Sequence, residues 1–133
     1  MSPLTIFLAR LIGLFTILVV VLLLLRGSAI IGATVADAPV MFAYAIISLA
    51  IGIAMILGHN VWSGGALPVV VTAVGWVTLA KGLLLSLLEP AALLGLFEGM
   101  HFGKHYYLFL APAFLIGVYL TWAGFTTSIS RSS

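Results

Sequence analysis

Long apolar stretches separated by short polar breaks dominate this chain. Each of four stretches reaches the roughly 20 residues that an α-helix needs to cross a hydrocarbon core about 30 Å thick. They cover residues 4–25, 37–58, 67–88 and 106–124. We therefore predict an all-α fold, an integral membrane four-helix bundle with antiparallel up-down connections, formed by a single transmembrane domain over residues 1–133.

The residues between these stretches predict where the helices begin and end. Asp37 is placed to cap the second helix, and Pro90 follows the third helix, which it cannot continue. Residues 30–36 and 59–66 are predicted to be short loops. Residues 91–104 are apolar enough to form a segment that lies in the membrane interface.

Composition excludes a water-soluble fold. Hydrophobic residues make up 64% of the chain and charged residues 6%, against roughly 45–50% and 25% in soluble domains. The net charge of +2 comes from five basic and three acidic residues, which leaves no basic patch for nucleic acid. Cysteine is absent, so disulfides and thiolate chemistry are excluded. The lipid bilayer is the partner that this composition implies.

Lys81 is the ionisable residue that lies deepest in a predicted span. At 1.5 Å per residue it lies about 12 Å from the end of the third helix, where a buried lysine costs at least about 2.5–3.5 kcal/mol. Its possible partners on that side of the membrane are Asp37, Tyr44, Glu89 and the carbonyl of Leu108. A lysine that only sets the depth of its helix by snorkelling is the alternative interpretation.

The third span also carries a stripe of small and hydroxyl side chains. Such residues let membrane helices approach closely, so we expect this stripe to face the inside of the bundle. The stripe comprises Thr72, Gly75, Trp76, Leu79, Gly82, Leu83 and Ser86. Lys81 points nearly the opposite way, where it needs lipid headgroups, water or a second subunit, so oligomerisation would give it a partner.

The second span has two faces for which we expect different roles. Polar side chains at helical spacing could border a narrow polar path, although hydroxyl groups more often bond back to their own helix. That face comprises Tyr44, Ser48, Met55 and His59. A separate stripe of small residues is expected to pack closely against another helix. It comprises Ala43, Ala50, Ala54 and Gly58.

Arg10 lies about 9 Å inside the first span, within snorkelling reach of the side that carries both termini. His59 and Asn60 end the second span on the same side. We expect Arg10 to donate to Asn60 or to helix-end carbonyls and to act as an orientation anchor. The positive-inside count ties, because Arg10 and Arg131 lie on the side that carries both termini and Arg26 and Lys104 lie on the other. We predict cytoplasmic termini because a basic residue near the start of the first helix, here Arg10, often dominates the orientation.

Glu98, His101 and His105 form the strongest metal-ligand pattern in the sequence. If the segment is helical, the three side chains share one face and offer a carboxylate and two imidazoles, a set suited to Zn, Fe or Mn. Gly99 and Gly103 weaken such a helix. Solvated interfacial residues are therefore the favoured interpretation, and no cofactor is expected.

Two segments carry a family resemblance. Gly-His-Asn-Val-Trp at residues 58–62 and Gly-Trp-Val-Thr-Leu-Ala-Lys-Gly at residues 75–82 resemble small four-helix inner-membrane proteins of bacteria that have no assigned function. The resemblance covers the second and third spans. It implies a bacterial inner membrane and no particular activity.

Two classes of function fit this sequence. The first is a non-enzymatic membrane protein that acts by assembly, either as a homo-oligomer or as an accessory subunit of a larger complex. The second is a small channel or transporter with a path between subunits, which Lys81 and Arg10 would make favourable for anions or lipid headgroups.

Overall fold

The computed structural model describes residues 2–101 and 104–127, and within these residues the chain forms six α-helices. Four of them are long and apolar enough to cross a membrane: α1 (Pro3–Arg26), α3 (Ala38–Gly58), α4 (Ala66–Leu87) and α6 (Tyr106–Thr126). Two are short: α2 (Ala29–Ala36) and α5 (Pro90–Gly99). The predicted all-α class is confirmed, and the four long helices match the predicted spans and indicate a multi-pass membrane protein.

Capping side chains begin two of these helices, and a glycine ends one of them. The Ser2 hydroxyl accepts a hydrogen bond from the Thr5 amide at 3.2 Å, which caps α1. The predicted cap at Asp37 is confirmed, since its Oδ1 accepts from the Val40 amide at 3.2 Å. Gly27 ends α1 with a φ of 81°, a conformation that glycine adopts without steric strain.

The loop predicted over residues 30–36 is wrong, because these residues lie within helix α2. A helix of eight residues is unstable alone, so packing must stabilise it. Val35, which is 3% exposed, supplies that packing in a cluster with Met41 and Leu93. The predicted interfacial segment 91–104 is helical as far as Gly99, and its residues 102 and 103 lie outside the described residues.

The long helices form two closely packed pairs, α3 with α4 and α1 with α6. A Cβ added at Gly52 would lie 2.6 Å from the backbone nitrogen of Leu79, and one added at Gly13 would lie 2.6 Å from that of Thr121. Glycine therefore lets each pair of backbones touch, as is common between membrane helices.

The faces predicted for α3 and α4 are only partly correct. Thr72, Gly75 and Gly82 are buried, but Trp76 and Leu83 of the same stripe are 44% and 48% exposed. The stripe of small residues predicted to pack against another helix has no such partner within this protomer, because it is exposed at every position: Ala43, Ala50, Ala54 and Gly58. The face that packs instead carries Ala45, Ser48 and Gly52, since the glycines of α4 fit against it.

The two pairs meet at one end and separate at the other. At the end that holds the start of α1, which we call the terminal end, all four long helices share one buried cluster that includes Ala9, Met55, Val71 and Leu120. At the opposite end, which we call the divided end, the core splits in two. One part contains Val20, Tyr106 and Leu110, and the other contains Val35, Met41 and Leu93.

Candidate functional site

Lys81 and Tyr44 form a hydrogen-bonded pair across the α3–α4 interface. The Lys81 Nζ donates to the Tyr44 hydroxyl at 2.8 Å and lies 5.0 Å from the centre of the tyrosine ring. The next residues along each helix explain the pairing, because Gly82 packs against the Ala45 carbonyl. Among the four possible partners of Lys81, the structure therefore selects Tyr44, which adds a cation–π contact to the hydrogen bond.

A cleft of about 480 Å³ opens beside this pair at the divided end. Residues of α1 to α5 line it, and most of them are aliphatic, including Leu23, Met41 and Leu85. Its polar lining residues are Thr34, Tyr44 and Lys81, and the lining contains no carboxylate. Because the Thr34 hydroxyl donates to the Ile30 carbonyl of its own helix, Lys81 and Tyr44 are the groups suited to bind a polar ligand. An apolar cleft with few polar groups is typical of small-molecule sites.

The position of Lys81 differs from the prediction in one respect. Its side chain is exposed, as expected for a residue opposite the glycine face of α4. However, it borders a cleft within its own protomer and has a tyrosine partner there. A second subunit is therefore not required to give Lys81 a hydrogen-bond partner.

His59 forms the centre of a second polar cluster at the terminal end. The imidazole is 3% exposed, with Nε2 2.8 Å from the Thr5 hydroxyl and Nδ1 3.0 Å from the Thr72 hydroxyl. The Thr72 hydroxyl in turn donates to the Val61 carbonyl at 2.8 Å and accepts from the Val61 amide at 3.0 Å. The cluster thereby joins α1, α4 and the chain that connects α3 to α4.

The geometry of this cluster assigns the hydrogen-bond directions. Since the one proton of the Thr72 hydroxyl goes to the Val61 carbonyl, its oxygen accepts from His59. In the neutral imidazole the proton is therefore on Nδ1, and Nε2 accepts from Thr5. The Thr5 oxygen is then free to accept from the Ser2 hydroxyl, which lies 2.8 Å away. With every buried polar atom paired, this cluster is a structural clamp.

Arg10 binds the carboxyl-terminal end of α6, one of the two kinds of partner predicted for it. Its Nε donates to the Gly124 carbonyl at 2.8 Å, and its guanidinium lies 4.8 Å from the centre of the Phe125 ring. Asn60 has other partners, since its Oδ1 accepts from the indoles of Trp62 and Trp76 at 2.8 and 3.4 Å. These bonds agree with an anchoring role for Arg10.

The polar face predicted along the second span does not form one continuous path. Tyr44 borders the cleft at the divided end, whereas His59 is buried at the terminal end. Ser48, between them, is 4% exposed on the face of α3 that packs against α4.

Glu98, His101 and His105 do not share the helical face that a metal site at these residues would require. Helix α5 ends at Gly99, and His101 has a φ of 53°. The two imidazole rings lie 6.5 Å apart, edge to face. Across residues 2–101 and 104–127, no three or more His, Cys, Asp or Glu side chains are grouped so that they could hold a metal ion. Glu98 and His101 instead line an open pocket of about 360 Å³ with Lys104.

Sequence reasoning identified Lys81, Tyr44 and His59 but missed the role of Thr5. Thr5 and His59 are 54 residues apart, and nothing in either local sequence indicates that they meet.

Comparison with known proteins gives no relative, since no protein-family model, curated protein or solved structure matches the chain. Function is therefore inferred from the site itself.

Proposed function

We propose that this chain is a non-enzymatic, multi-pass protein of a bacterial inner membrane that acts by assembly, either with further copies of itself or as an accessory subunit of a larger complex. Its termini are cytoplasmic in this proposal, because Arg10 lies near the start of the first helix. The resemblance of residues 58–62 and 75–82 to small bacterial inner-membrane proteins supports the location.

The exposed stripe of small residues on α3 carries this proposal. Ala50, Ala54 and Gly58 recur at four-residue steps on the face of α3 that is turned away from α4. Without a hydrophobic driving force in lipid, helices associate where small side chains let their backbones approach. In the buried interface of this protomer, Gly52 serves that purpose against Leu79. The exposed stripe offers the same kind of surface to another helix.

Cysteine cross-linking in native membranes tests this proposal, because the chain has no cysteine of its own. We expect Ala54→Cys to form a disulfide-linked dimer upon mild oxidation. Ala80→Cys is the matched control, since Ala80 is exposed on α4 at a similar depth, one residue from the Gly52–Leu79 contact. Equal cross-linking at both positions, or none at Ala54→Cys, would contradict assembly through α3.

A second candidate function is the passage of anions or lipid headgroups, and the Lys81–Tyr44 pair beside the cleft favours it. In this proposal the path lies within one protomer, whereas the sequence predicted a path between subunits. Lys81→Met keeps the length of the side chain and removes its charge. We expect this variant to reduce anion flux or headgroup exchange in proteoliposomes, whereas Lys104→Met, outside the cleft, leaves both unchanged.

A further inference from the structure

We infer that the cleft binds a single long-chain fatty acid, with its carboxylate on Lys81 and Tyr44 and its acyl chain along the apolar walls. This inference deepens the second candidate function, on whose cleft it rests. It does not require transport or assembly.

Lys81 gives the cleft a positive charge, which a bound anion would compensate. Lys81 lies six residues before the end of α4 at Leu87, or about 9 Å from that end. An ammonium group at this depth either snorkels to the membrane interface or takes a partner that compensates its charge. Tyr44 is neutral and no carboxylate lines the cleft, so a bound anion is the complement that the lining lacks.

The hydrogen-bonding groups match a carboxylate. One of the three ammonium hydrogens goes to the Tyr44 oxygen, which leaves two for a ligand. Because that oxygen accepts from Lys81, the tyrosine hydrogen is directed elsewhere and can serve a second ligand oxygen. One cation and one hydroxyl suit a singly charged head with two oxygens. A phosphate monoester carries about −1.5 to −2 charges, and its excess charge would stay uncompensated in an apolar site.

The volume of the cleft suits one acyl chain. The 480 Å³ of the cleft lie within the roughly 300–1,000 Å³ that is typical of small-molecule sites. A single acyl chain is a ligand of this size class, and its apolar surface matches the mostly aliphatic lining. Leu84, Leu93 and Leu96 are among the aliphatic side chains that would contact it.

The test measures the binding of radiolabelled palmitate to the full chain in nanodiscs of phosphatidylcholine. We expect saturable binding, with about tenfold or greater loss of affinity in Lys81→Met, the effect of removing a charge-assisted hydrogen bond. Lys81→Arg should retain most of the affinity, and Tyr44→Phe should lose part of it. Lys104→Met, which removes a cation outside the cleft, should bind as the native chain does.

Three competitors identify the ligand chemistry. Unlabelled palmitate should displace the label, whereas methyl palmitate, which lacks the charge, and dipalmitoyl phosphatidylglycerol, which has two chains, should not. Thermal unfolding of each variant shows whether it is folded. If Lys81→Met does not fold, the affinities of Lys81→Arg and Tyr44→Phe test the carboxylate site instead. Displacement by methyl palmitate, stronger displacement by palmitoyl lysophosphatidate, or unchanged binding in Lys81→Met would overturn the inference. Palmitate binding without flux would overturn the transport candidate alone, and cross-linking at Ala54→Cys reports on assembly separately.

Discussion

His59 Nδ1 lies 3.0 Å from the Thr72 hydroxyl, and this hydrogen bond ties the chain between α3 and α4 to the second turn of α4. The same imidazole reaches Thr5 of α1 through Nε2 at 2.8 Å. One side chain therefore links the two helix pairs at the terminal end, where all four long helices share a core. At the divided end the pairs separate and the cleft opens.

Removal of the Thr72 hydroxyl should destabilise the fold. Thr72→Val leaves His59 Nδ1 without a partner in a buried site, which costs about 1–3 kcal/mol, and also removes the partner of the part-buried Val61 amide. Thr78→Val is the matched control in the same helix, because the Thr78 hydroxyl bonds only to the Val74 carbonyl one turn before it. The midpoint of thermal unfolding in detergent measures the stability of both variants. Equal midpoints would contradict the clamp.

Close backbone contact between α3 and α4 predicts a strong effect of one methyl group. In Gly52→Ala the new Cβ would lie 2.6 Å from the Leu79 backbone nitrogen, and such overpacking costs about 1–3 kcal/mol or more. Gly95→Ala in α5 is the control, since a Cβ at Gly95 meets nothing within 4 Å and Gly95 lies outside the exposed stripe of α3. We expect a lower unfolding midpoint for the first variant and no loss for the second. A stable Gly52→Ala protein would show that the helices are farther apart.

The arrangement of the two ends predicts a labelling pattern. Ser2 and Ser63 belong to the terminal end, and Ser28 to the divided end, where α2 packs. Cysteines at the first two positions should react with an impermeant maleimide in inverted vesicles, if the termini are cytoplasmic. A cysteine at Ser28 should react in right-side-out vesicles. If all three cysteines reacted from the opposite side of the membrane, the proposed orientation would be wrong. If the cysteines at positions 2 and 63 reacted from different sides, the four-span fold would be wrong.

Local signals explain what the sequence could predict. The four spans depend on length and hydropathy alone, and the cap at Asp37 depends on a side chain three residues from its partner. Helix α2 escaped prediction because its stability comes from Val35 packing against residues of α3 and α5. The sequence of these eight residues alone does not reveal such contacts.

The face of α3 could not be read from its pattern for a different reason. In a membrane both the lipid-facing and the protein-facing sides of a helix are apolar, so only small residues mark close contacts. Helix α3 carries two such sets, and the set with Ala50 and Ala54 is exposed while the set with Ala45 and Gly52 packs. The choice depends on where Gly82 and Leu79 lie on α4. The Lys81–Tyr44 pair follows from the same register.

The mass of the assembly tests the central proposal most directly. Native mass spectrometry of the full chain, released from nanodiscs made of bacterial lipid, reports how many copies of the chain the assembly contains. We predict a dimer or a larger complex for the native chain and a shift to monomer in Ala54→Leu, which fills the exposed stripe, while Ala80→Leu keeps the native mass. A monomer for the native chain, with no other subunit retained, would contradict a function by assembly.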